Sequence, residues 1–240
     1  MNRNGGQELV IQLETALHRL VESFWEEPYR FFTEADAVAA LQFWVARRPG
    51  LAQVLRTADG FETGLLHREY PTFFRFSKSK PDQKKGPPAR RGHYDLVLID
   101  PAYVQRHAAE TVINRDIRNQ GDLTSPPLLA VIEFKLFARG WSPRRVRGVK
   151  QNLSKLQLAL QFEEESSADA SAAYMCIFQR AVGTTQERWK QYWEKEVKPT
   201  LVVYPKIRTV VAVCWPDEEE GWEREPFVHY SGSWITTVTS

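Results

Sequence analysis

The order of apolar patterns along the chain predicts an α/β fold in which helices on both sides flank a mixed central β-sheet. Two short runs rich in β-branched residues, 92–100 and 128–137, are bounded by Gly or Pro and are typical of central strands. Segments with the 3.6-residue repeat of amphipathic helices precede and follow these runs. With 240 residues, 42% of them hydrophobic, the chain is long enough to bury a substantial core.

The first two predicted elements are helices. Apolar residues at helical spacing from Gln7 to Trp25 form one stripe, which would suit either the core or a partner chain. Thr33-Glu-Ala-Asp36 has the form of a capping box, so a second helix is predicted from there to Ala46. We therefore distinguish an N-terminal helical segment, residues 1–32, from a main domain, residues 33–240.

Three predicted strands come next, joined by two polar connections. The first strand, from Leu65 to Phe76, contains Pro71, which predicts an edge strand or a bulge. A basic, Pro-containing loop at 78–91 leads to the second strand. Residues 103–127, before the third strand, contain few large apolar side chains, so we expect this inserted loop on the surface, with part of it helical.

The C-terminal half alternates helices with strands. Ser142-Pro143 is typical of a helix start, since it combines a capping hydroxyl with Pro in the first turn. The further predicted elements are a helix to Phe162, a buried strand over 173–178, a capped helix from Thr184, a strand over 208–215 and a weaker strand or hairpin over 227–238. From residue 33 to residue 215 the order is thus helix, three strands, helix, strand, helix, strand.

Composition excludes several classes of protein. The longest apolar runs are far too short to span a bilayer, and the N-terminus has no signal-peptide apolar region, so we expect a cytoplasmic protein. Cys176 and Cys214 lie in apolar runs and are predicted as core residues rather than metal ligands or a disulfide. The formal net charge is only +2, but basic residues cluster at 75–91 and 139–150, beside the two apolar strands.

Three charged residues interrupt these apolar strands. Asp95 lies in the second strand, and Glu133 and Lys135 lie in the third. Because side chains alternate along a strand, Glu133 and Lys135 share one face, with their backbones about 7 Å apart. Burial of either charge without a partner would cost several kcal/mol, so these residues form an ion pair or serve a function.

This pattern resembles the PD-(D/E)XK nuclease superfamily, in which an Asp at the end of one core strand is followed by Glu-x-Lys on the next. Asp95 matches the Asp, and Glu133-Phe134-Lys135 matches Glu-x-Lys. The Pro of the family name is absent, since His93-Tyr94 precede Asp95. The resemblance extends over 33–181 as a pattern of elements and implies a restriction-endonuclease-like core.

The resemblance also implies a metal-dependent hydrolysis of phosphodiester bonds. Asp95 and Glu133 would hold Mg²⁺ or Mn²⁺, together with the backbone carbonyl of Phe134. Lys135 would orient or deprotonate the attacking water, or stabilise the transition state. Glu69, on the neighbouring predicted strand, is preferred as a further ligand. Glu34 is the alternative, although the helix dipole alone favours an acid in the first turn of a helix.

Clustered basic residues indicate a nucleic-acid partner, with DNA favoured over RNA. The candidates for phosphate contacts are Lys84, Lys85, Arg90, Arg91, Arg144, Arg145 and Lys155. The resemblance further suggests a part in prokaryotic defence or repair, with a protein partner or a homo-oligomer as a possible assembly.

Two other interpretations stay open. Glu133 and Lys135 on their own would be explained by a surface ion pair worth about 0 to 1 kcal/mol. The same fold would also suit an inactive subunit that binds nucleic acid or a protein partner, because fold does not determine activity.

Overall fold

A six-stranded mixed β-sheet organises the chain. The computed structural model describes residues 3–75, 91–114, 128–160, 170–217, 221–222 and 227–234. The helices in these ranges are α1 (Arg3–Glu26), α2 (Glu34–Val45), α3 (Pro101–Arg106), α4 (Ala109–Asn114), α5 (Pro143–Leu160), α6 (Gln186–Tyr192) and α7 (Lys198–Val202). A 3₁₀ turn, Pro28–Arg30, precedes α2, and a π-helical turn, Trp193–Val197, joins α6 to α7.

The strands follow the order predicted for the core. They are β1 (Val54–Arg56), β2 (Glu62–Gly64), β3 (Leu66–Arg75), β4 (Arg91–Ile99), β5 (Leu128–Arg139), β6 (Ala173–Val182), β7 (Arg208–Cys214), β8 (Pro216–Asp217), β9 (Gly221–Trp222) and β10 (Phe227–Ser231). The main sheet has the order β10-β7-β6-β5-β4-β3. Its β5, β6 and β7 strands run parallel, and the other neighbouring pairs are antiparallel. The predicted α/β class with a mixed sheet is confirmed.

Helices cover both faces of this sheet. Phe178 of β6 packs against Phe24 of α1, with ring centroids 5.0 Å apart. On β5, Phe134 stacks near Phe178 on that face, whereas its neighbour Glu133 contacts α5. Since adjacent residues of a strand point to opposite faces, α1 and α5 lie on opposite sides. The helix α5 also provides the crossover that a parallel β5–β6 pair requires.

The apolar stripe of α1 packs into the core of the same chain. Its members Leu13, Leu17, Leu20 and Phe24 are all buried, next to the central strands. This decides between the two packings that the stripe allowed, the core or a partner chain. No helix in the described ranges is long and apolar enough to cross a membrane.

The strand at the edge of the sheet confirms one prediction, and the insertion after β4 corrects another. The β3 strand is an edge strand whose pairing is irregular after Pro71. The described part of the insertion is helical, as expected, and contributes to α3 and α4. It does not lie wholly on the surface, however, since Tyr103 and Val112 are buried in the core beside β3. The Tyr70 hydroxyl of β3 donates a hydrogen bond to the Val112 carbonyl at 2.6 Å.

Candidate metal and phosphodiester site

Two neighbouring strands separate at Asp95, and its carboxylate bridges the resulting gap. The β4–β5 ladder runs as far as Leu96 opposite Ile132. Beyond that pair, the Phe134 amide donates its hydrogen bond to Asp95 Oδ2 at 2.7 Å rather than to a backbone carbonyl of β4. One further step of the register places Asp95 opposite Glu133, on the same face of the sheet. The two acids predicted as metal ligands are therefore neighbours.

The Glu133 carboxylate is buried between β5 and α5. It is 2% exposed, and Asn152 Nδ2 donates to its Oε2 at 2.8 Å. Lys155 Nζ lies 2.5 Å from Oε1 and forms an ion pair with it. The same ammonium donates to the His93 carbonyl at 2.7 Å and thereby links α5 to β4.

Burial dominates the electrostatics of Glu133. Removal of the carboxyl from water raises its pKa from 4.5 to about 7. The Lys155 ammonium opposes this shift, while the negative charge of Asp95 adds to it, and Lys135 makes a smaller opposing contribution. Glu133 is thus a carboxyl whose ionised form depends on nearby positive charge.

Lys135 pairs with an acid from α2 instead of with Glu133. Its Nζ donates to both carboxylate oxygens of Glu34 at 3.0 Å and to the Phe134 carbonyl at 2.8 Å. Glu34 is the first residue of α2, and its position follows from the capping box, in which Thr33 and Asp36 bond to each other's backbone amides. The simple ion pair between Glu133 and Lys135 does not occur.

The structure distinguishes the two candidates for a further acidic ligand by their surroundings. Glu34 is held against Lys135, as described. Glu69 lies on the edge strand β3 at the level of Asp95, is exposed, and has a left-handed backbone with φ of 49°. No hydrogen bond or ion pair connects Glu69 with the other candidate residues in the described ranges. Of the two acids, only Glu34 contacts a residue of the Glu133-Phe134-Lys135 motif, and that residue is Lys135.

The candidates for phosphate contacts are distributed over three settings. Lys84, Lys85 and Arg90 lie outside the described residues, and Arg91 begins β4, with its side chain outside them. At the start of α5, Arg144 is exposed, whereas Arg145 is partly buried, with its guanidinium 5.6 Å from the Phe137 ring. Lys155 is buried against Glu133, so it belongs to the candidate site and not to an outer basic surface.

Sequence reasoning missed Asn152 and the pairing of Lys155 with Glu133. Both side chains border the apolar stripe of α5, three residues apart, and so point along one side of the helix toward the sheet. A polar pair beside a buried stripe, opposite a buried acid on the preceding strand, was the signal that could have identified them.

Within the described ranges, no group of three or more His, Cys, Asp or Glu side chains is arranged to hold a metal ion. Comparison with protein-family models, curated proteins and solved structures found no match to the chain. Its function therefore has to be inferred from the geometry of these residues.

Proposed function

We propose that this chain is a metal-dependent nuclease with a restriction-endonuclease-like core of the PD-(D/E)XK type. The observation that carries the proposal is the bridge from Asp95 to the Phe134 amide, which brings Asp95 beside Glu133 where β4 and β5 separate. Lys135 follows on the same strand with its ammonium at this point. An acid, a second acid and a lysine in this order and on these strands are the combination expected for phosphodiester hydrolysis.

The topology also supports the proposal. A helix precedes three antiparallel strands, and α5 then crosses over to a parallel fourth strand. This is the element order of the superfamily core. The β1–β2 hairpin between α2 and β3 is an addition to that order.

The residues present suit a divalent cation. Asp95 and Glu133 offer carboxylate oxygens, which Mg²⁺ and Mn²⁺ prefer. Asp95, Glu133 and the Phe134 carbonyl would hold the ion. When bound, it supplies positive charge that stabilises the phosphoryl oxygens during hydrolysis.

Each side chain then has a defined task. Asn152 orients the Glu133 carboxylate through Oε2, and Lys155 offsets part of its charge from the α5 side. Lys135 presents an ammonium to the substrate phosphate or the attacking water, and Glu34 holds that ammonium in place. Nucleic acid, with DNA as the first polymer to test, is the substrate class that fits the basic clusters.

A nicking assay tests the proposal. Plasmid and single-stranded substrates are incubated with Mg²⁺ or Mn²⁺ and with wild type, Asp95→Ala, Lys135→Ala or the control Lys206→Ala, which alters an exposed lysine. We expect metal-dependent cleavage by wild type and the control, and a loss of at least about 100-fold in the other two variants. Equal background cleavage by all four proteins would contradict the proposal.

A second candidate function is a nuclease-like subunit without catalysis that binds nucleic acid or a protein partner. The observation that favours it is the Lys155 ammonium 2.5 Å from Glu133, since this cation already balances the charge that a metal would balance. The same four proteins separate the two functions. Salt-sensitive binding of nucleic acid without cleavage in any of them would favour the inactive subunit.

A further inference from the structure

A buried guanidinium with no ionic partner among the described residues lies near the C-terminal end of β6. Arg180 is 6% exposed, and its buried Nε has no hydrogen-bond acceptor in that part of the chain. It forms no ion pair within the described ranges. Its Cζ lies 5.2 Å from the ring centroid of Tyr29 and 5.9 Å from that of Phe32. Burial of a cation beside two aromatic rings and without a described anion is costly, which suggests that an anion completes its surroundings.

The two aromatic rings are presented outward by a well-anchored turn. Phe31 is buried and stacks on Phe178 at 6.1 Å, while the Phe32 amide donates to Asp36 Oδ2 at 2.9 Å. Despite these anchors, Tyr29 is 53% exposed and Phe32 is 71% exposed. Large apolar rings held in solvent by a fixed backbone are typical of a binding surface.

This surface adjoins the candidate nuclease site. Phe32 precedes Glu34 by two residues, and Glu34 binds Lys135. On β6, the residue opposite Lys135 is Ile177, three positions before Arg180. Because Arg180 is an odd number of positions from Ile177, it shares the α1 face of the sheet with Phe178, whereas Glu133 points to the α5 face. The Glu34–Lys135 pair, at the start of α2, is the link between this surface and the candidate site.

We propose that Tyr29, Phe32 and Arg180 form an aromatic–arginine platform that binds an unpaired stretch of nucleic acid leading to the candidate site. This inference rests on the proposed nuclease function and names its substrate class. The rings stack on bases, and the guanidinium binds a phosphate of the same strand. Bases expose both faces only when they are unpaired and unstacked, so the platform selects a single-stranded segment, such as an end or a flap.

Binding to a labelled oligonucleotide tests the platform directly. Fluorescence anisotropy with a (dT)12 strand in EDTA measures affinity without cleavage. We expect Phe32→Ala to raise the Kd about 5- to 100-fold. The matched control is Phe61→Ala, which removes a comparably exposed ring, 64% exposed, in the β1–β2 turn, and it should leave the Kd within about twofold.

Two further measurements separate stacking from charge. An abasic 12-mer retains the phosphates but lacks bases, so Phe32→Ala should no longer change its affinity. Arg180→Gln should reduce the slope of log Kd against log salt by about 0.7, the share of one phosphate contact on a single strand. Thermal melting by circular dichroism verifies that the buried substitution Arg180→Gln leaves the chain folded. If this variant unfolds, the affinity of Phe32→Ala for (dT)12 tests the platform by itself.

The outcomes also distinguish the platform from the proposed function. Wild-type cleavage together with unchanged (dT)12 binding by Phe32→Ala overturns the platform and leaves the nuclease standing. Phe32-dependent binding in a protein that never cleaves supports the platform and removes the nuclease. Self-association that depends on Phe32, detected by sedimentation velocity while oligonucleotide binding is unchanged, assigns the surface to a second copy of the chain and overturns the inference.

Discussion

Glu133 is the residue whose charge depends most strongly on its surroundings. Its folded-state pKa of about 7 lies above the ordinary value of 4.5, so the folded chain binds more protons than the unfolded chain between these pH values. The free energy of unfolding in EDTA should therefore fall as pH rises from about 4.5 to about 7, relative to Glu133→Gln. Over this pH range the wild type should lose on the order of 3 kcal/mol of unfolding free energy relative to Glu133→Gln. Urea unfolding of both proteins at several pH values measures it.

Metal provides the control for that prediction. Above pH 7, Mn²⁺ should raise the stability of the wild type, because an ion that binds only the folded chain stabilises it by mass action. Glu133→Gln should respond much less. Parallel stability curves for the two proteins across the whole pH range would show that Glu133 titrates normally and is not buried as described.

The two alternative acids allow a paired test of the site. Glu34→Gln should weaken the hold on Lys135 and reduce kcat about 10- to 100-fold, whereas Glu69→Gln should change kcat by less than about threefold. The physical reason is that only Glu34 contacts the lysine. Single-turnover cleavage with saturating Mg²⁺ is the measurement. The reverse ranking would make Glu69, the residue preferred from sequence, the functional acid.

The same residues show which features of the site the sequence could predict. Strand alternation is a local property, so it was sufficient to place Glu133 and Lys135 on one face of their strand. The register that puts Asp95 opposite Glu133 involves two strands, and only the family resemblance predicted that these acids meet. The partners Glu34 and Lys155 depend on how α2 and α5 dock, which is a tertiary property that periodicity does not specify. Arg180 was overlooked for a similar reason, because its aromatic neighbours lie about 150 positions earlier in the chain.

At the scale of elements, the capping box of α2 links stability to the site. Thr33→Ala should lower the free energy of unfolding by about 1 kcal/mol, since Thr33 caps the amide of Asp36. It should also reduce cleavage, because the loosened first turn carries Glu34. Thr185→Ala removes the corresponding cap of α6, which contains no candidate residue. It should cost similar stability without loss of cleavage, and equal losses of cleavage in both variants would refute the link.

Element boundaries were predicted less well than element order, and β6 shows why. Its apolar run ends at Phe178, yet the strand continues to Val182. The polar Gln179 is accommodated in the core because Trp189 Nε1 donates to its side-chain oxygen and its amide donates to the Arg139 carbonyl. Such tertiary hydrogen bonds make a buried polar residue acceptable where composition alone indicates the end of a strand.

At the scale of the whole molecule, a buried ionic network fastens α1 to the sheet on the face opposite α5. Arg208 Nη1 of β7 lies 3.0 Å from Glu14 Oε1 of α1, and the Tyr174 hydroxyl of β6 donates to the same oxygen at 2.9 Å. Arg208 Nε also donates to the Ser233 carbonyl at 2.7 Å, beyond the end of β10. One fully buried carboxylate thus connects the N-terminal helix, two central strands and the C-terminal part of the chain.

Loss of one partner from this network should destabilise the whole fold. Arg208→Met leaves the Glu14 charge buried without its cation, which should cost about 3 to 5 kcal/mol in urea unfolding. Arg56→Met, which breaks the exposed pair with Glu62, should cost less than about 1 kcal/mol. Adding Glu14→Leu to Arg208→Met should restore part of the loss, because it removes the buried carboxylate that has lost Arg208. If Arg208→Met has the same urea midpoint as the wild type, the ionic network does not stabilise the fold, and the apolar stripe of α1 holds this helix on the sheet.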